Sequence, residues 1–174
     1  MKSLLKKIDR KLDQLIPLLS ILTAHIVLRI PNLFEPYWYG DEAIYLTVGQ
    51  GLNYGLKLYK QIVDHKTPII YYLAMVPSQF WFKFLNLIWM SLAIIFFCHF
   101  AQKLFKNKVM TVISSLIFTL LTTLPWLEGN IANGELFVMG FVLAGLWLVA
   151  QSSYFQWLYK KTKKTTGYHS TFLG

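Results

Sequence analysis

The chain has 174 residues, of which 55% are hydrophobic and 17% aromatic, and its formal net charge is +9 at pH 7. Only 14% are charged, whereas soluble domains carry about 25%, so the composition excludes an ordinary soluble domain. The basic residues form short clusters between apolar runs, as in membrane-protein loops, which argues against nucleic acid as a partner. The single cysteine, Cys98, excludes an internal disulfide and a cysteine-based metal site.

Residues 1–14 interleave lysine and arginine with leucine and isoleucine at helical spacing. The pattern predicts either an amphipathic cytoplasmic helix on an anionic membrane surface or a solvated lead-in, and both readings stay open. An apolar run from about Leu15 to Ile30 follows. No small-x-small cleavage site leads out of this run, so we predict an uncleaved membrane span.

Residues 69–82 are apolar, but they fall short of the ~20 residues that a crossing helix needs, and Pro77 interrupts them. We predict that they form a helix at the outer interface. Longer apolar runs predict further spans at about 84–100, 109–127 and 136–157. The predicted fold class is therefore an all-α integral membrane protein with about four transmembrane helices.

The charges orient these spans. With a cytoplasmic N-terminus, twelve of the 17 Lys and Arg residues lie inside and six of the 8 acidic residues lie outside, which satisfies the positive-inside rule. A fifth span at residues 69–82 would place a lysine-rich loop outside. We therefore predict a multi-pass protein with both termini cytoplasmic, and we divide it into a transmembrane module (15–157), external loops (31–83 and 128–135) and a basic tail (158–174).

Adjacent carboxylates, Asp41 and Glu42, stand in the first external loop. Ionisable groups at a membrane boundary tend to mark functional sites, and such a carboxylate can act as a general base toward an acceptor hydroxyl. Lys66, later in the same loop, can neutralise a departing phosphate. Structural alternatives stay open: the two carboxylates can cap a helix that begins at Ala43, and Lys66 can be an interfacial lysine.

Other polar residues of the external side are open to two readings. His65 with Asp64 suggests a metal pair, although a solvated pair is the more common arrangement. Glu135 can cap the fourth span or face the outer surface. Arg29, near the outer end of the first span, can pair with a carboxylate or with a lipid phosphate.

The external loops carry a set of short motifs in a fixed order: Arg29-Ile30-Pro31-Asn32-Leu33, Gly40-Asp41-Glu42-Ala43-Ile44-Tyr45, Gly55-Leu56-Lys57-Leu58-Tyr59, Asp64-His65-Lys66-Thr67-Pro68 and Asn133-Gly134-Glu135. In these motifs the chain resembles the N-terminal part of a C-type polytopic membrane glycosyltransferase. The similar groups are the dolichyl-phosphate-mannose–protein mannosyltransferases and the aminoarabinose (lipid A) transferases. The resemblance covers roughly residues 25 to 150.

The resemblance implies roles for individual residues. Asp41 would activate or orient the acceptor, and Glu42 would support it. Lys66 would lie near the phosphate of the donor or acceptor, and Glu135 would face the same cavity. His65, Tyr59 and Arg29 are the remaining candidate substrate-binding residues.

The resemblance also implies a polyprenyl-phosphate sugar donor and a lipid, protein or glycan acceptor at the outer face of a bacterial-type plasma membrane, with inversion at the sugar. It implies no obligatory cofactor and leaves a divalent metal open. Family members are much longer, so we expect a partial fold that is inactive alone. The alternative is a non-catalytic protein that binds or translocates a polyprenyl-phosphate-linked lipid, or an assembly partner.

Overall fold

The computed structural model describes residues 2–36 and 40–165, with side chains described from residue 15 to residue 162. This part of the chain is helical, apart from its loops and an isolated bridge between Leu58 and Ile62. The α-helices, in chain order, are α1 (Lys2–Arg29), α2 (Gly40–Asn53), α3 (Pro68–Leu73), α4 (Gln79–Phe105), α5 (Lys108–Leu121), α6 (Gly134–Gln151) and α7 (Ser153–Thr165). Short 3-10 turns lie at Pro31–Leu33 and Pro125–Leu127.

Among the described helices, α4 and α6 are long and apolar enough to cross a membrane. At 1.5 Å per residue the 18 residues of α6 measure about 27 Å, close to the ~30 Å of a bilayer's hydrocarbon core. The apolar part of α1, Leu15–Arg29, and helix α5 are shorter. The two long helices suggest association with a membrane, and the four-span arrangement stays a prediction.

The N-terminal lead-in and the first predicted span form one continuous helix. Helix α1 runs from Lys2 to Arg29 and contains Pro17, which removes one backbone hydrogen-bond donor from the helix. The side chains of residues 2–14 lie outside the described part, so the predicted amphipathic face stays a prediction.

The single surface helix expected over residues 69–82 is divided. Helix α3 ends at Leu73, and α4 already begins at Gln79, after Ser78 in an extended conformation. Pro77 accounts for the break, because a proline disfavours helical geometry in the residue before it and removes a backbone donor. The prediction of one helix here is therefore corrected to two, and the last residues of the predicted 31–83 loop belong to α4.

The fourth long helix ends earlier than its expected boundary near residue 157. Helix α6 ends at Gln151, and Ser152 adopts an extended conformation with ψ 145°. The Ser152 Oγ accepts a hydrogen bond of 3.1 Å from the backbone N–H of Phe155, so the serine stops one helix and caps the next. Helix α7 takes up the start of the predicted 158–174 tail, and residues 166–174 lie outside the described part.

The core that positions the site lies where α2 and α3 meet the first turns of α4 and α6. Tyr45, Tyr71 and Phe82 are fully buried. The Tyr45 ring packs edge-on against Tyr71 at 6.1 Å and against Phe82 at 6.5 Å, and Phe82 stacks on Phe137 at 5.6 Å. These aromatic pairs stabilise the fold by more than the burial of their apolar area alone, because edge-to-face and stacked ring geometries are favourable. They hold α2 and α3 against the ends of the two long helices.

Candidate functional site

Three charged side chains from separate segments meet beside this core; we call them the carboxylate–lysine cluster (Asp41, Lys66 and Glu135). The Lys66 Nζ lies 3.5 Å from Asp41 Oδ2 and 3.5 Å from Glu135 Oε1. The side chains of Asp41 and Lys66 are 32% and 27% exposed, and that of Glu135 is 67% exposed. The cluster thus has a net charge of −1 when all three groups are ionised, and it is open to solvent on one side.

The two carboxylates of the cluster, those of Asp41 and Glu135, are each held in the first turn of a helix. Asp41 and Glu42 lie in the first turn of α2, which begins at Gly40, and Glu135 lies in the first turn of α6. Negative charge is favoured there by the helix dipole. The predicted helix start at Ala43 is corrected to Gly40, so Asp41 and Glu42 lie inside the first turn and do not precede the helix. The cap of α6 is Asn133, however, whose side chain accepts from the Leu136 N–H at 3.0 Å. Glu135 therefore does not act as the N-cap and reaches Lys66 instead.

Tyr45 holds the Asp41 carboxylate in place through a hydrogen bond. One helical turn after Asp41, its hydroxyl donates a 3.0 Å hydrogen bond to Asp41 Oδ2. Burial and this hydrogen bond raise the pKa of Tyr45 to about 12. The phenol is therefore protonated at neutral pH and remains a donor to the carboxylate.

The backbone at Lys66 is held on both sides by tyrosines. The Lys66 N–H donates to the Tyr71 hydroxyl at 3.0 Å, and the Tyr59 hydroxyl donates to the Lys66 carbonyl. The negative charge that Tyr45 carries once it is ionised, together with the Glu135 and Asp41 carboxylates, raises the pKa of Lys66 above its ordinary value. Lys66 is therefore a fixed cation at neutral pH.

His65 points away from the cluster. Its side chain is 81% exposed, and its Nδ1 lies 2.9 Å from Asp64 Oδ1. Burial would raise the pKa of Asp64, but hydrogen bonds from Tyr71 and His65 outweigh burial and lower it. Within the described ranges no group of three or more His, Cys, Asp and Glu side chains could hold a metal ion. The structure thus pairs an exposed His65 with an Asp64 side chain that is only 13% exposed.

Glu42 occupies a different environment from Asp41. It is 3% exposed, and its carboxylate lies 3.6 Å from Lys83 Nζ. The same carboxylate accepts from Gln79 Nε2 at 2.8 Å and from the Ala132 N–H at 3.1 Å. Its contacts therefore join α2 to α4 and to the loop before α6, and they do not include Lys66.

Arg29 is also buried, at 3% exposure. Its guanidinium donates to Asn86 Oδ1 at 2.6 Å, to the Thr122 carbonyl at 2.9 Å and to the Gly129 carbonyl. Those acceptors lie on α4 and on both sides of the second 3-10 turn, so Arg29 ties the end of α1 to two other segments. The predicted pairing of Arg29 with a carboxylate is replaced by these neutral acceptors.

Three members of these networks were not predicted from the sequence: Tyr45, Tyr71 and Lys83. A signal for Tyr45 was present, since residues four apart on a helix are neighbours and Tyr45 follows Asp41 by four. Lys83 stood at the predicted edge of a span, where a lysine ordinarily reaches toward water. Its burial depends on Glu42, which approaches it only in the folded chain.

No family model matches the chain, and neither a curated protein nor a solved structure matches it. The resemblance in the external motifs therefore stays a prediction, and the site is characterised by its own geometry.

Proposed function

We propose that this chain is the N-terminal membrane module of a glycosyltransferase that takes a sugar from a polyprenyl-phosphate donor at the outer face of the membrane. The observation that carries the proposal is the position of Lys66 Nζ, 3.5 Å from both Asp41 and Glu135. A fixed cation beside a partly exposed carboxylate supplies the two charges that the reaction requires.

In the proposed reaction, a hydroxyl of a lipid, protein or glycan acceptor attacks the anomeric carbon of the sugar. The bond from that carbon to the phosphate oxygen breaks, and polyprenyl phosphate leaves with inversion at the sugar. Asp41 takes the hydroxyl proton, and Lys66 neutralises charge on the leaving phosphate. The contacts of Asp41 with Tyr45 and Lys66 both use Oδ2, so Oδ1 is the oxygen that we assign to the proton.

The proposal includes a four-span topology in which the apolar part of α1 and helix α5 cross the membrane beside α4 and α6. Supporting it, the cluster lies at the start of α6, whereas lysines lie around the α4–α5 turn and in α7, which follows the end of α6 (Lys103, Lys106, Lys108, Lys160 and Lys161). The positive-inside rule then places the lysines in the cytoplasm and the cluster outside.

The test uses membranes in which the chain is part of a full-length transferase, supplied with a set of radiolabelled undecaprenyl-phosphate hexoses. We measure transfer of label from the lipid to any other fraction. Asp41→Asn should lower transfer by about 10²–10⁴-fold, the usual contribution of a general base. The matched control is Glu128→Gln, which removes an exposed carboxylate from the second external loop. Full transfer by Asp41→Asn would reject the assigned base.

A second candidate is a protein that binds the polyprenyl phosphate without turnover, as a carrier or an assembly partner. The solvent-open side of the cluster favours it, because enzymes that transfer groups from activated donors usually exclude water from the reacting centre. Here undecaprenyl phosphate would bind to wild type and to Asp41→Asn but not to Lys66→Gln, and no label would be transferred. The transfer assay distinguishes the two candidates, and native mass spectrometry of the lipid-bound protein measures the binding.

A further inference from the structure

The end of α6 opposite the cluster turns into a second, chemically distinct surface. Helix α6 measures about 27 Å, so Gln151 lies one hydrocarbon thickness away from Glu135. The helix is then interrupted at Ser152, and α7 begins at Ser153. A helix that starts where a helix of crossing length stops is placed at the opposite membrane interface.

The first half of α7 is aromatic and exposed. Tyr154 is 68% exposed and Trp157 is 54% exposed, and their rings stack at 6.0 Å. Tyrosine and tryptophan side chains are enriched at membrane interfaces, because the ring body is apolar and the polar atom reaches the headgroups. An exposed aromatic pair at this depth fits the headgroup layer.

The second half of α7 is basic. Lys160, Lys161, Lys163 and Lys164 follow the aromatic pair, and the sequence holds no Asp or Glu after Glu135. The Lys161 Nζ lies over the Trp157 ring at 5.0 Å, and Lys106 Nζ of the α4–α5 turn lies over the Tyr159 ring at 4.2 Å. The cation–π contact at Tyr159 joins α7 to the turn. Trp157 and Tyr159 are two residues apart on α7 and therefore face opposite sides of the helix. The turn thus packs on the Tyr159 side, and Tyr154, Trp157, Lys160 and Lys161 are exposed on the rest of the helix.

We infer that the exposed face of α7 is a docking surface for the anionic headgroups of the membrane leaflet that faces this end of the molecule. We call it the basic–aromatic surface (Tyr154, Trp157, Lys160 and Lys161). Charge complementarity argues for an anionic partner, and the aromatic pair beside a helix of crossing length argues for a bilayer over a soluble polyanion. The inference uses the proposed topology and does not depend on any sugar transfer.

The test places the purified chain in nanodiscs of phosphatidylcholine and compares the association of spin-labelled phosphatidylglycerol with that of spin-labelled phosphatidylcholine. Wild type should prefer phosphatidylglycerol, and high salt should remove the preference, because exposed charges are screened. The variant Lys160→Gln/Lys161→Gln should lower the preference several-fold, with about fivefold for each lysine as the upper bound.

The matched control is Lys57→Gln/Lys60→Gln, which removes two exposed lysines at the cluster end. It should keep the preference of wild type. Full preference in Lys160→Gln/Lys161→Gln, or an equal loss in the control, would overturn the inference. So would tighter binding of soluble heparin than of the spin-labelled phosphatidylglycerol. None of these outcomes involves undecaprenyl phosphate, so a failure here is distinguishable from a failure of the proposed reaction.

Discussion

Asp41 and Glu42 are neighbours in the sequence and carry the same charge, yet the fold gives them opposite surroundings. The side chain of Asp41 is 32% exposed, and it shares Lys66 with Glu135. The side chain of Glu42 is 4% exposed, as is that of its partner Lys83. Successive residues of a helix point about 100° apart, so one residue step moves a carboxylate from the surface into the core.

The difference teaches which ion pair is available to a substrate. The carboxylate of Glu42 has three partners, on α4 and on the backbone before α6. Exchanging any of them for a ligand would leave a buried group without its hydrogen bond. Lys66, in contrast, is reachable from solvent, so a phosphate can replace a carboxylate beside it at little cost to the fold.

The largest expected effect comes from breaking the buried pair. Glu42→Gln leaves the Lys83 ammonium buried without a counter-charge, and loss of one member of a buried pair costs about 3–5 kcal/mol. Unfolding of the purified chain by SDS titration measures this loss. Asp41→Asn should cost less than about 1 kcal/mol, the usual value of a solvent-accessible pair.

A double variant sharpens the test. Replacing both members by uncharged side chains, Glu42→Gln/Lys83→Met, removes the unpaired charge and should recover most of the stability lost in Glu42→Gln. Equal losses in Glu42→Gln and Asp41→Asn would contradict the distinction drawn between the two carboxylates.

A smaller effect is expected at Tyr45, which connects the core to the cluster. Tyr45→Phe keeps the ring packing but removes the hydrogen bond to Asp41, which should lower the free energy of unfolding by about 1 kcal/mol. The same variant should weaken transfer less than Asp41→Asn does, because the carboxylate is present but less firmly held. Tyr54→Phe, at an 86% exposed position, is the control and should change neither quantity.

The smallest effect concerns pH. The pKa of Asp64 in the folded chain lies below its ordinary value of 3.8, so its ionised form stabilises the folded state. This contribution is fully present above the ordinary pKa and is lost as the pH falls through the lower, folded-state pKa. The stability of wild type should therefore decline more steeply below about pH 4 than that of Asp64→Asn, as measured by the midpoint of SDS unfolding. Parallel pH profiles would remove Asp64 from the loop's stabilising network.

Much of the helical architecture was readable from the sequence, because α4 and α6 are long apolar runs and the break before α4 falls next to Pro77. The end of α6 was not readable, since Ser152 is a single polar residue in an apolar stretch and its capping bond needs the folded backbone. Likewise, α3 is too short to stand out in any window of hydropathy.

The charged site, too, has features that the sequence predicts and features that it does not. Because the external loops were expected on one side, Asp41, Lys66 and Glu135 were candidates for one surface, and the fold brings them together. Helical spacing accounts for the burial of Glu42. It lies on the same face of α2 as three buried residues, which follow it by three, four and seven positions: Tyr45, Leu46 and Gly49. The burial of Lys83 and the acceptors of Arg29 were not readable, since both depend on contacts distant in sequence.

The hydrogen bonds of Arg29 also set an order for biosynthesis. Its acceptors lie 57, 93 and 100 residues further along the chain. At a synthesis rate of about 5–20 residues per second, the last acceptor emerges roughly 5–20 seconds after the guanidinium. During that interval Arg29 lacks at least one of its three acceptors, so its full set of hydrogen bonds forms only after α4 and α5 have been made. A ribosome stalled before residue 129 would therefore hold a nascent chain in which Arg29, at the end of α1, lacks the Gly129 carbonyl as an acceptor.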